Sequence, residues 1–172
     1  LAETIAGAMG RRADQLVLDA LSAGSTIVHG SAGLTLAKLT SAAETLNDNG
    51  VPQSDRILLS SAEGITDLLS DTTITSADYN TVRALVSGEI NSFMGFNIIM
   101  METRAEGGLA KSGTTRDCYA FHKSSIGCAI GLDISTEVNY IPEKTSWLSL
   151  GKYKAGAVTI DNAGIVKVEI TE

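Results

Sequence analysis

The chain has 172 residues, 44% of them hydrophobic and 19% charged, which excludes a disordered polymer and suits one compact domain or two closely interleaved subdomains. A formal net charge of −7 disfavours a nucleic-acid reader or a binder of anionic membranes, because both would repel such a surface. No apolar run reaches the length of about 20 residues that spans a bilayer, and Leu1 to Gly10 lacks the basic start and apolar core of a leader, so the reading is a cytosolic product.

In chain order, Ile5, Met9, Ala13, Leu16, Val17, Ala20 and Leu21 recur at spacings of three and four and predict an opening amphipathic helix that stops at Gly24. Gly7 and Gly10 each weaken it by about 1 kcal/mol relative to Ala, so its first turns depend on packing. Thr35 is placed to cap a second helix running to Asp48, which Asn49-Gly50-Val51-Pro52 closes. Arg56 to Ser60 reads as a strand buried on both faces. Ala62 to Ser70 reads as a short helix, and Ser76-Ala77-Asp78 opens another that carries Tyr79, Val82, Leu85 and Val86 inward and stops at Gly88.

Phe96 to Thr103 follows as a strand whose Ile98-Ile99-Met100-Met101 run, apolar without alternation, predicts an interior position where a charge at Ile99 would be buried. Glu106 to Thr115, rich in Gly, Ser and Thr, is expected to be an exposed, mobile loop. Cys118 to Phe121 reads as a strand, and Ser124 to Ile130 as a short helix ended by Gly131. The rest is β-rich: Asp133 to Tyr140, Trp147 to Lys154, Ala157 to Ile160 and Ile165 to Thr171, separated by Pro142, Gly156 and Asp161-Asn162-Ala163-Gly164.

No constellation for catalysis, cofactor binding or metal binding stands out. Gly107-Gly108-Leu109-Ala110-Lys111-Ser112 has Ala110 where a phosphate loop needs Gly, and it joins two strands instead of a strand and a helix. Ser149 and Lys152 have the spacing of penicillin-recognising enzymes, but Lys111-Ser112-Gly113 precedes them, reversing the order. His122 lacks a placed nucleophile or orienting carboxylate and reads as a hydrogen-bonded structural histidine. His29 and His122 are too few for a metal site, and Cys118 and Cys128 read as two buried free thiols. Glu102-Thr103-Arg104 and Glu143-Lys144 read as solvated faces or interface pairs.

Four segments nevertheless carry a resemblance. Gly88-Glu89-Ile90-Asn91-Ser92-Phe93-Met94-Gly95-Phe96-Asn97-Ile98-Ile99-Met100-Met101 resembles a signature of tailed-phage major capsid proteins of the Hong Kong 97 fold. Leu46 to Ser60, with its Pro turn and Asp55-Arg56 strand start, Ala120 to Gly127, and Tyr153 to Ile170 are similar to segments of the same family, in the same order.

The resemblance implies a mixed α+β fold with a spine helix, an axial-domain central sheet flanked by helices, and long peripheral-domain strands. It implies a peripheral domain of residues 1–24 and 132–157 and an axial domain of residues 25–131 and 158–172. Family members begin with an N-terminal arm and an extended hairpin, so the chain is expected to be the C-terminal portion of a longer protein. The implied function is structural, without catalysis or cofactor: self-assembly into pentamers and hexamers of an icosahedral virion that loosely encloses DNA, after residence in the host cytoplasm. Scaffolding and portal proteins are the further partners, and no membrane is involved. An encapsulin-like shell, or a small α/β enzyme or ligand-binding domain with an unrecognised site, are the alternatives.

Overall fold

The computed structural model describes residues 2–27, 32–70 and 92–172. The helix expected from Ser76 to Gly88, and His29, lie outside them. Helix α1 spans Ala2–Leu21 and strand β1 Ser25–Ile27. Helix α2, Leu36–Asp48, begins where the Thr35 side chain accepts the Lys38 amide, and the chain leaves it through Gly50 at φ +70. These are the boundaries that the cap and the Gly-Pro stop encode. Strand β2, Arg56–Ser60, and helix α3, Ala62–Ser70, match expectation, with Ser61 capping α3 through its bond from the Gly64 amide, 3.1 Å. Strands β3, Ser92–Phe93, and β4, Phe96–Met100, form a hairpin whose two turn residues, Met94 and Gly95, both have positive φ. That turn matches the twist of the flanking strands.

Strand β5 is Lys111–Ser112, β6 Thr115–His122, β7 Ile126–Ile141, β8 Ser146–Thr159 and β9 Ile165–Thr171. Among the described residues they build a seven-stranded sheet, in the order β1-β9-β6-β2-β4-β3 with β5 on β6, and a separate β7-β8 ribbon. β9 pairs antiparallel with β6 from Thr115↔Thr171 to Phe121↔Ile165 and parallel with β1; β2 lies antiparallel to β6 and parallel to β4. The core gathers Leu39, Ala42 and Leu46 of α2, Leu58, Phe96, Cys118 and Ala120, and Ile165, Val166, Val168 and Ile170 of β9, all fully buried.

Two long cationic side chains are also buried, because each finds carbonyls to donate to. Lys38 Nζ bonds Ala32 O at 2.7 Å and Glu169 O at 2.9 Å, tying α2 to β9. Arg56 binds Pro52 O, Val51 O and Asn47 Oδ1 at 2.7 to 2.9 Å and knits the α2–β2 turn. Burial pushes both basic groups below their usual values, and the hydrogen bonds offset a desolvation cost that unpaired cations could not bear.

Four sequence expectations need correction. Ser124 to Ile130 is not a helix: one 3₁₀ turn, Lys123–Ser125, leads straight into β7, and Gly131 lies inside that strand. Gly156 likewise does not separate strands but sits within β8. The strand at Phe96 ends at Met100 and lies one place from the sheet edge. Only Phe96 is fully buried; Ile99 is 45% and Met100 63% exposed, so the apolar run reflects an outer position with one open face. The segment from Glu106 to Thr115 is only partly exposed. Leu109 is buried, the Gly107 amide donates to Gln15 Oε1 of α1 at 2.9 Å, and Gly108 is wedged against the carbonyls of Glu102 and Arg104.

The ribbon continues the β6–β9 hairpin beyond a narrow waist. β6 passes into β7 through the turn at Lys123–Ser125, and β8 passes into β9 through a second 3₁₀ turn at Asn162–Gly164. His122 caps the first, accepting the Ser124 amide at 3.2 Å, and Asp161 caps the second, accepting the Ala163 amide at 2.9 Å. The two turns touch. Ser125 O accepts the amides of Ile160, 2.9 Å, and Asp161, 3.3 Å, and a side chain at Gly164 would collide with Ser125 Oγ.

Replacement of Phe96 by Ala is expected to cost about 3–5 kcal/mol through the cavity it leaves. Ile99→Asp should leave a folded protein within about 1 kcal/mol of the parent, because its face is open. Urea titration followed by circular dichroism measures both, and an unfolded Ile99→Asp variant would place that side chain inside.

Candidate functional site

Among the described residues, those considered for chemistry are placed in a structural role or apart from a supposed partner. His122 Nδ1 lies 2.7 Å from Ser124 Oγ and caps a turn, as expected of a structural histidine. Ser149 and Lys152 are three apart on β8, so strand alternation puts Ser149 on the face toward α1 and Lys152 on the opposite face, against Glu137 at 2.9 Å. They cannot cooperate. Lys111 and Ser112 lie in a two-residue strand paired to Thr115 and Arg116, without the helix a phosphate loop requires. Both cysteines are free as expected, but only Cys118 is buried; Cys128, on the ribbon, is exposed. Burial pushes the Cys118 thiol up to about 11, which leaves it protonated and inert. Glu102 and Arg104 form an exposed ion pair at 3.0 Å and border an open cleft of about 300 Å³ with Ala62, Met100, Met101 and Thr103, where the charged groups meet each other and not a shared point.

A polar cluster missed by the sequence reading closes the sheet. The Glu172 carboxylate, with its side chain 2% exposed, accepts hydrogen bonds from Ser61 Oγ and Arg116 Nε and lies 3.6 Å from Lys111 Nζ, while Arg116 Nη1 donates to Leu109 O at 2.9 Å. Burial by itself would raise the Glu172 carboxyl, but the bonds from Ser61 and Arg116 and the charges of Arg116 and Lys111 outweigh it and hold the group below its usual value. Lys111 reaches solvent, but Ser61, Arg116 and Glu172 are enclosed and bonded to one another, so the role of the cluster is to fix α3, β6 and the end of β9 together. Only tertiary folding joins residues 61, 111, 116 and 172, and no local pattern announces them.

What remains is surface, and it concentrates on the ribbon. β7 and β8 pair from Ile126↔Thr159 to Ile141↔Ser146, with register shifts between Ile130 and Ser135. The tip turns through Pro142–Lys144 and Thr145, the latter left-handed at φ 46. α1 lies along one face: Thr159 Oγ1 donates to Ala20 O near the waist, and toward the tip Gly151 leaves room for Ile5 and Met9, which any side chain there would strike. The predicted apolar stripe of α1 therefore divides: Ile5 and Met9 seat on the ribbon, while Leu21 enters the hydrophobic core and Val17 packs against it. Of thirteen large apolar side chains exposed among the described residues, ten lie on or beside the ribbon. They include Tyr140 and Trp147, whose rings pair across the strands near the tip at 5.2 Å between centroids. Such a density of exposed apolar groups marks an interaction surface, not a monomer's ordinary exterior.

A family model described as phage capsid protein matches residues 1–172, the whole chain. The chain belongs to that family. The role of this family is structural and non-enzymatic, a subunit of the phage capsid and hence of the virion.

Solved structures agree on the fold. A chain of Mycobacterium phage Che8 is 21% identical with a TM-score of 0.68, over 91% of this chain and 55% of that one. The capsid of Helicobacter pylori bacteriophage KHP30 is 9% identical with a TM-score of 0.72, over 98% and 67%. The SrpI encapsulin from Synechococcus elongatus is 8% identical with a TM-score of 0.51, over 86% and 52%. The mixed α+β, Hong Kong 97-like fold expected from the sequence is thus the fold found. This chain spans little more than half the length of the Che8 chain it matches. No curated protein matches it in sequence.

Glu172→Gln is expected to destabilise the protein by about 3 kcal/mol at pH 7, because it leaves Arg116 buried without its counter-charge. The parent's Glu172 titrates lower when folded than unfolded, so its contribution is fully present above the ordinary glutamate range and is lost as pH falls through the lowered folded value. The gap between the two proteins should therefore narrow as pH falls below the ordinary glutamate range, as measured by thermal unfolding in progressively more acidic buffer; a gap independent of pH would refute the role.

Proposed function

We propose that this chain forms the body of a major capsid subunit whose copies gather into pentamers and hexamers and close an icosahedral shell around a genome. The observation that carries the reading is the α1-backed ribbon, apolar on the face that α1 leaves open, in a chain whose family and fold are those of capsid proteins. Such a surface is suited to repeated contacts, and ring symmetry multiplies contacts that are weak one at a time.

Within this reading, residues 1–24 and 132–157 act as the peripheral domain with α1 as spine helix, and residues 25–131 and 158–172 as the axial domain. The net charge of −7 favours loose enclosure of DNA over adhesion to it. Scaffolding and portal proteins are the partners that such a shell requires besides its own copies. An encapsulin-like compartment is the second reading, supported by the fold it shares with the SrpI encapsulin.

The test is electron microscopy of the purified chain over a concentration series. Five- and six-membered rings or closed shells, appearing together above a threshold concentration, are expected; discrete monomers or dimers at every concentration would count against the proposal.

A further inference from the structure

The stop signal of α2 is also a chemically labile pair. Asn49-Gly50 is the sole Asn-Gly step in the sequence. An asparagine carboxamide is the side chain most prone to lose ammonia to its own backbone, and a following glycine favours the reaction because it has no Cβ to hinder the approach of its amide nitrogen.

Three features hold the pair out of the reactive arrangement. Asn49 has ψ 1, at which the Gly50 nitrogen eclipses Asn49's own nitrogen instead of lying on the Cβ side, where Cγ would be in reach. The Gly50 amide donates to Asn47 O at 2.9 Å, so the nitrogen that would attack keeps its proton. Asn49 Nδ2, the nitrogen that would leave, donates to Ala163 O at 2.8 Å. All three belong to a helix end at the surface. Asn49 and Gly50 are exposed, and a side chain at Gly50 would meet nothing within 4 Å, so water and hydroxide reach the pair. A final helical turn opens far more readily than the core beneath it.

We propose that Asn49-Gly50 is a self-modification site, closed while the end of α2 is wound and converted to aspartate and isoaspartate when that end opens. Hydroxide takes the Gly50 amide proton, and the nitrogen's electron pair forms a bond to Asn49 Cγ. The Cγ–Nδ2 bond breaks as Nδ2 takes a proton from water and departs as ammonia, leaving a cyclic imide. Water then opens the imide, at Cγ to give aspartate or at the main-chain carbonyl to give isoaspartate. Either product carries a carboxylate, which accepts hydrogen bonds but cannot donate to Ala163 O. The bond so lost joins residues 114 apart and rests on the Asn162–Gly164 turn, one of the two at the waist. The conversion therefore unties α2 from the waist and leaves a permanent record that the helix end has opened.

The experiment incubates the chain in warm, mildly alkaline buffer and follows residue 49 by peptide mass mapping, with enzymatic methylation to score isoaspartate; Asn162, followed by Ala163, is the internal control. Conversion is expected at Asn49 and not at Asn162 in the folded parent, and at least about tenfold faster at Asn49 in urea-unfolded chain, since the rate follows the population of the open form. Asp161→Ala, which removes the cap on the Ala163 amide, and Val51→Ala, which trims the side chain beside Gly164, should each speed conversion about threefold or more while circular dichroism shows them folded. Asn49→Asp should raise hydrogen exchange across residues 160–164 as the converted parent does. A folded parent that converts as fast as the unfolded chain, or not at all while the unfolded chain converts, would overturn the proposal. So would folded variants that convert no faster than the parent, or an Asn49→Asp waist that exchanges like the parent's.

Discussion

The antiparallel pairing of β6 with β9 is the constraint on which the rest of the molecule depends. It joins residues about fifty apart in sequence, sets the last strand between β1 and β6, and buries Ile165, Val166, Val168 and Ile170 under α2 and its neighbours. Contacts of such long range close only late and at an entropic cost. What repays that cost is a run of fully desolvated aliphatic side chains, with Lys38 bound to the Glu169 carbonyl and Glu172 bound to Arg116 and Ser61 at the far end. If that pairing were lost, both feet of the ribbon would be released at once.

The division of labour between the sheet and the ribbon follows from burial. In the sheet, polar groups are buried only where partners are complete, and the cationic side chains of Lys38, Arg56 and Arg116 each find carbonyls or a carboxylate. In the ribbon the relation is inverted: apolar groups are exposed, and α1 shields a single face. Two strands alone are only marginally stable in water, so α1 serves as much to stiffen the ribbon as to be held by it. Gly151 makes that possible, because it lets Ile5 and Met9 approach the strand backbone.

Local signals in the sequence were legible where the physics is local. Thr35 and Asn49-Gly50-Val51-Pro52 bracket α2 to the residue, since caps and left-handed stops act within a few positions. The stretch from Ile126 to Ile130 misled because small and aliphatic residues serve a helix and a strand alike, and the 3₁₀ turn before it depends on a partner turn almost forty residues away. Ile99 and Met100 read as core because position within a sheet is not written in a strand's own residues. The ribbon's strands were visible as β segments, but its role as a surface was not, since apolar content alone does not distinguish a buried face from an exposed one. Family likeness, carried by short motifs spread along the chain, supplied what periodicity could not.

The waist has a consequence for how such a molecule can change. Because the ribbon departs from the sheet and rejoins it at two touching turns, Lys123–Ser125 and Asn162–Gly164, residues can be added to or removed from β7 and β8 in matched pairs without altering the register of any strand in the seven-stranded sheet. Reach and core are therefore separable properties: a lineage could lengthen or shorten the arm to fit a differently curved container, while the fold that anchors it is inherited intact.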